Sequence, residues 1–389
     1  MNPPVTAPAP ASVSALPSAP ASALAPGSKP RARLDAIDWL RGLAVVLMIQ
    51  THLYDSWCNA AAKATEAYAW TRYLGGLPSR MFLLLVGVSM AIRYESQIAR
   101  QIDRPTMVRT AAKRGLEIVG LAYLFRIQEW FLGGRYDWHD IFRVDILNCI
   151  GASMMVTAFI AAPRKGRPQI AACLFAAAIA VALGPVLGPH HFPDWLPRQL
   201  TAYLGGERPL AWFPLFPWVA WPLVGVVIGH YWVRESVTPR RQAIAFVVSG
   251  VVGLGLTYAV IGVRRFFPHF LPYPSDMVQQ MGPGTFFYRL GTIGPMALAG
   301  YLVTRYLSFG FSPMRQLGQT SLLVYWVHVE LVYGLLFGRL HHKLSMTQAT
   351  IGLVLMTAAM LGLSVLRTKY WPGLPRRKRG NLNSAVARL

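Results

Sequence analysis

The stretch IDWLRGLAVVLMIQTHLYDSW, residues 37–57, is long and apolar enough to cross a bilayer, yet it carries Asp38, Arg41, His52 and Asp55. About 20 apolar residues at about 1.5 Å per residue cover a hydrocarbon core roughly 30 Å thick. At about 100° per residue, the step from Arg41 to His52 closes three turns to within about 20°, so the two share a face about 16 Å apart along the axis. Asp38 and Asp55 each lie about 60° away, in the same sector. Such a stripe is costly against lipid tails and must line a polar cavity, which makes each of its members a candidate functional residue.

The same alternation of apolar stretches with short basic or Pro/Gly-rich breaks continues along the chain of 389 residues. Hydrophobic residues make up 54% and charged residues 14%, against about 25% charged in an ordinary soluble domain. Mean hydropathy is +0.37. A soluble protein of this composition lacks the polar side chains to cover its surface. The formal charge of +22 first suggests nucleic acid, but the apolar content points to lipid as the main solvent and no nucleic-acid partner is expected. Cys58, Cys149 and Cys173 are too few and too scattered for a disulfide framework or a zinc site. No metal is expected, and each cysteine reads as a small buried hydrophobe.

Ten spans follow from the pattern: 37–57, 75–94, 114–133, 143–162, 169–189, 213–233, 242–262, 286–306, 316–338 and 347–368, with nine or eleven as neighbouring solutions. The expected fold is all-α, a polytopic helix bundle of about ten transmembrane helices at 35–370. An Ala/Pro-rich tail, 1–34, precedes it, too rich in proline for a helix and too polar for a core. A basic tail, 371–389, follows. With the N-terminus inside, 24 of the 38 basic residues fall on the cytoplasmic side, ten outside and four (Arg41, Arg80, Arg126 and Arg289) within spans. The positive-inside rule then places both termini in the cytoplasm, in a bacterial-type inner membrane, with the excess charge available to anionic headgroups.

Within the first span, Arg41 suits bidentate pairing with a phosphate or pyrophosphate. His52 suits general-base work near neutral pH, and Asp55, about one turn on, is placed to fix its tautomer. The alternative is that Arg41 snorkels and His52 satisfies a packed carbonyl. Gly42, Gly87 and Gly225 read as sites of close helix packing. His190, His191, His341 and His342 read as solvated pairs in outer loops, and Glu330 as facing away from His328.

Five stretches carry a family resemblance. RLDAIDWLRGLAVVLMIQTH at 33–52 resembles the opening span of the heparan-alpha-glucosaminide N-acetyltransferase-like membrane proteins, within the wider superfamily of transmembrane acyltransferases. The spacing of Arg41 and His52 also resembles the Arg/His motif of type-three membrane O-acyltransferases. PSRMFLLLVGVSMA at 78–91, VDILNCIG at 144–151, FPLFPWVAWPLVGVVIG at 213–229 and LGQTSLLVYWVH at 317–328 are similar to later spans of the family, in order. The resemblance covers about 31 to 370 and leaves out both tails.

It implies an acyl-CoA co-substrate, acetyl-CoA above all, bound from the cytoplasm, and a glycan or lipid-linked acceptor on the other side, in contact with membrane lipids. It implies His52 as base or acyl carrier, with Asp55 beside it. Arg41 with Asp38, and Arg80, Arg126 and Arg289, either complete a positive well for the CoA phosphates or snorkel and pair structurally. His328, with Ser321 and Tyr325 on neighbouring turns, lines the acceptor side, supports His52 or is a satisfied packing histidine. Asn148 bonds across the bundle or toward the thioester. The resemblance has one departure: members acting on heparan carry a catalytic His in the loop after the first span, and here the loop around Lys63 has none. A homo-oligomer is compatible with this composition. A transporter or flippase for an anionic lipid or sugar is the alternative class, with a non-catalytic relative as a third.

Overall fold

The computed structural model describes residues 35–132, 138–187, 192–193, 195–205, 210–233, 238–268, 281–307 and 310–371. The tail at 1–34, all but the first residue of the tail at 371–389, and His190 and His191 lie outside them. Among the described residues the protein is all-helical, with two isolated backbone bridges, Cys58 to Leu344 and Val144 to Ala211.

Helix α1 runs Asp35–Trp57, and the short α2 (Ala60–Lys63) and α3 (Glu66–Gly75) fold back over its end. The Asn59 side chain accepts from the Ala62 amide and the Thr65 hydroxyl from the Tyr68 amide, each satisfying a donor that a helix start leaves open. There follow α4 (Pro78–Ala99), α5 (Arg104–Leu132), α6 (Ile146–Ala161), α7 (Arg167–Leu187) and α8 (Arg198–Leu204). The chain continues through α9 (Leu215–Trp218), α10 (Ala220–Val233), α11 (Pro239–Phe266) and α12 (Pro283–Tyr306). It ends in α13 (Pro313–Gln319), α14 (Ser321–Tyr333) and α15 (Met346–Tyr370). The last opens on a reciprocal cap between Ser345 and Gln348.

Each of the ten stretches read as spans is helical at its centre. Among the described residues, five helical stretches are long and apolar enough to cross a membrane: Glu66–Ala99, Arg167–Leu187, Leu215–Trp232, Pro239–Phe266 and Met346–Tyr370. The helices at 146–161 and 321–333 are apolar but shorter. The ninth stretch is not one helix, because Thr320 leaves the helical region with φ −116° and ψ 22° and separates α13 from α14. In α1 and α5 the charged side chains of the stripe and of the Arg126 network dilute the apolar content.

Helix α1 sits centrally, packed against α3, α4, α12, α13, α14 and α15, while α11 turns Val247, Val248, Val251 and Val252 outward. Close approach is made where glycine leaves room. A Cβ on Gly42 would lie 1.8 Å from the Met314 carbonyl oxygen, and one on Gly87 2.0 Å from that of Pro222. Gly120 on α5 has nothing within 4 Å of the same position. Gly42→Ala is therefore expected to lower the melting temperature in detergent, by a cost of about 1–3 kcal/mol from overpacking. Gly120→Ala is expected to leave it unchanged or slightly higher. Differential scanning fluorimetry of the two variants checks this contrast.

Candidate functional site

A cavity of about 1320 Å³ runs along α1, walled by α4, α5, α6 and α14. Arg41, Met48, Thr51, His52 and Asp55 of α1 all line it. Arg41 to Asp55 spans about 21 Å of helix at about 1.5 Å per residue. The cavity thus joins an arginine at one end to an acidic and aromatic vestibule at the other. On α5, Arg114, Ile118, Leu121, Phe125 and Glu129 form one helical face of its wall.

At the Arg41 end, the guanidinium is held by Asp38, with Nη1 to Oδ1 at 3.1 Å, and by the Ser89 hydroxyl at 2.5 Å. The Asp38 side chain is almost fully covered while that of Arg41 stays 29% exposed. The carboxylate therefore orients the cation without closing it off. Arg114 also lines the cavity, bonded to Glu117 at 3.0 Å.

Farther along, His52 faces the cavity and its Nδ1 lies 2.9 Å from His328 Nε2. The two rings are parallel within 4°. His328 is fully buried behind His52 and does not line the cavity, and its Nδ1 lies 2.7 Å from the Val324 carbonyl oxygen. His328 therefore does not line the acceptor side of the cavity; it contacts His52 and bonds a carbonyl of its own helix. Asp55 does not orient His52 as the helical spacing suggested. Its carboxylate accepts from the Tyr333 hydroxyl at 3.4 Å, and the Tyr333 ring stands 5.6 Å from the His52 ring. One turn of helix brings Asp55 to the same sector but closer to the mouth, where a partner from α14 reaches it first.

The three other arginines within spans do not gather around Arg41. Arg80 donates to the Gly76 carbonyl and stacks over Trp218. Arg289 donates to the Tyr73 carbonyl at 2.6 Å and lies over the Tyr73 ring. Both bond carbonyls at the end of α3, where the helix makes few bonds of its own, and neither lines the cavity. Arg126 does line it, buried in a network with Glu129, with Asp145 at 3.2 Å and with the Asp140 carbonyl. Arg143 pairs with Asp145 at 3.4 Å. Arg126 is thus neutralised near the far end of the cavity, because the carboxylates that α5 and the start of α6 bring together need a cation.

Tyr325 and Ser321 line the cavity on α14. Asn148 does not; its amide donates to the Tyr203 hydroxyl at 2.9 Å, across to α8. The vestibule also holds residues that the sequence did not single out: Tyr68, Trp130, Trp212 and Tyr333. Glu330, expected to face away from His328, points into this cavity, where His328 itself does not. His341 and His342 line it as well, with His341 Nε2 3.0 Å from the Val332 carbonyl and the His342 amide donating to Ser56. No group of three or more metal-ligating side chains occurs among the described residues.

Among the described residues the chain is a helical bundle with helices fit to cross a membrane, and it encloses a cavity with Arg41 and His52 in its wall. The family model for heparan-alpha-glucosaminide N-acetyltransferase, catalytic, matches residues 33–260, and the chain belongs to that family. No curated protein matches the chain. The matched region contains α1, α4, α5 and α6 but ends before α14.

The two arginines that line opposite ends of the cavity should respond differently to substitution. Arg126→Gln is expected to destabilise the protein by about 3–5 kcal/mol, because Glu129 and Asp145 lose their buried partner. Arg41→Gln is expected to cost less, about 1–3 kcal/mol, since Arg41 is part-exposed but the covered Asp38 loses its cation. Thermal unfolding in detergent measures both.

Proposed function

We propose that the protein moves an acetyl group from cytoplasmic acetyl-CoA to a hydroxyl or amine of a glycan or lipid-linked envelope acceptor. The observation that carries this reading is the single cavity that contains both Arg41 and His52. The donor's phosphates bind at the Arg41 end, where Asp38 and Ser89 hold the guanidinium in one orientation for bidentate contact. The thioester arm lies along Met48, Phe82, Val86 and Ile118, and its carbonyl reaches His52. The acceptor enters from the vestibule, where aromatic rings and carboxylates suit the apolar faces and hydroxyls of a sugar.

His52 removes the proton of the acceptor hydroxyl or amine as that atom attacks the thioester carbonyl. The tetrahedral intermediate collapses with cleavage of the carbon–sulfur bond. The thiolate of CoA leaves and takes the proton from the His52 imidazolium, which restores the neutral base. Arg80 and Arg289 hold the turn between α3 and α4, and Arg126 with Glu129 and Asp145 braces the vestibule wall.

In this reading ten helices span a bacterial-type inner membrane with both termini in the cytoplasm. The basic excess on the inner side supports that orientation, and it leaves the Arg41 end open to cytoplasmic CoA.

Radiolabelled acetyl-CoA supplied to membranes with an envelope extract tests the proposal. The wild type should release CoA and label an envelope component. His52→Ala should lower turnover by about 10³-fold or more, in line with loss of the general base from a preorganised site. Arg41→Gln should raise KM for acetyl-CoA by about tenfold, the worth of one charge-assisted phosphate contact. Absence of CoA release from the wild type with every extract, or undiminished turnover in His52→Ala, overturns the reading.

A further inference from the structure

We propose that His328 is a positioning residue that fixes the tautomer of His52, so that the cavity-facing nitrogen is the unprotonated one. The inference rests on the reading of His52 as the base, and it assigns a role to a residue outside the matched region 33–260.

The argument starts at a carbonyl. The Val324 oxygen can only accept, and it lies 2.7 Å from His328 Nδ1, so that nitrogen carries a proton. In a neutral imidazole the other nitrogen is then an acceptor. His328 Nε2 lies 2.9 Å from His52 Nδ1, and an acceptor there requires a proton on His52 Nδ1. His52 Nε2 is left with a lone pair; it is the ring nitrogen not held by the buried His328, on a residue that lines the cavity. Two hydrogen bonds thus propagate the polarity of one helix carbonyl to the reacting nitrogen.

The setting suits this work. His328 is fully buried, so no water competes for Nε2. Its Nδ1 bond runs to the carbonyl one turn back on its own helix, which holds the ring to α14. The two rings are parallel within 4° with centroids 5.2 Å apart, a separation that fits an end-to-end bond between the facing ring nitrogens. Asp55, the only carboxylate of the α1 stripe near this point, is engaged by Tyr333 instead. A protonated Nε2 on His52 would be unable to receive the acceptor's proton, so the tautomer decides whether the base works.

Three variants separate this role from mere packing. His328→Leu removes the acceptor and is expected to lower kcat for CoA release by about 10²–10³-fold, with KM for acetyl-CoA within about twofold. His328→Gln supplies an amide oxygen to accept from His52 Nδ1 and is expected to recover activity to within about tenfold of wild type. The pair His52→Ala with His328→Leu is expected to be no slower than His52→Ala alone, since a positioning residue has nothing left to position. Solution ¹⁵N NMR of histidine-labelled protein in detergent, with His52 assigned by loss of its signal in His52→Ala, reads the tautomer without turnover. Nδ1 should be protonated and Nε2 bare in wild type and in His328→Gln, with a mixture in His328→Leu. A protonated Nε2 in the wild type, equal inactivity of the Leu and Gln variants, or multiplied losses in the pair would each overturn the assignment. Failure of the base reading alone shows differently, as retained turnover in His52→Ala beside an intact tautomer signal.

Discussion

Lipid tails offer no partner for an aspartate, an arginine and a histidine on one face of a helix, and an ionised group there costs several kcal/mol or more. That cost decides where α1 goes. It has to sit inside the bundle, and α3, α4, α12, α13, α14 and α15 surround it. Close cover demands backbones in contact, so Gly42 meets the Met314 carbonyl at one end of the stripe and Gly318 meets Asp38. The purely apolar helices take the opposite place. Helix α11 carries no comparable stripe within its membrane-length window and shows most of it to the outside.

The stripe also explains which parts of the fold can be read from the chain. The alternation of span-length apolar stretches with breaks finds a helix at the centre of every one of the ten stretches, including those whose charges place them below a membrane-length apolar criterion. It passes over the break at Thr320, because apolar residues resume at Leu322 after the short polar stretch Gly318, Gln319, Thr320 and Ser321. The break is instead met by α15, whose Ser364 hydroxyl lies 2.5 Å from that of Thr320 and bonds the Gln316 carbonyl. Partners of that kind come from 44 and 48 residues away, beyond any local pattern.

The same distinction runs through the site. Arg41, His52 and their shared face follow from helix geometry, which is local. The environments of Arg80, Arg126 and Arg289 do not, since charge within a span says that a partner exists without saying which. Two of these arginines found carbonyls at the end of α3, and the third found carboxylates. Asp55 fails in an instructive way. A carboxylate three residues after a histidine shares its sector, but sector is not contact. The partner of His52 comes from 276 residues along the chain.

A base backed by a second imidazole differs from one backed by a carboxylate. A carboxylate both fixes the tautomer and stabilises the imidazolium as it forms. A neutral His328 can fix the tautomer, and it offers the developing charge only the dipole of its own ring and of the Val324 carbonyl behind it. The site then depends less on charge behind the base and more on where the base is held. Preorganisation of that sort requires rigid walls, and the close contacts around α1 supply them. It also fits a site inside a bundle. An unpaired carboxylate behind His52 would add a second buried charge to a helix that already carries Asp38 and Arg41, whereas a neutral ring adds none.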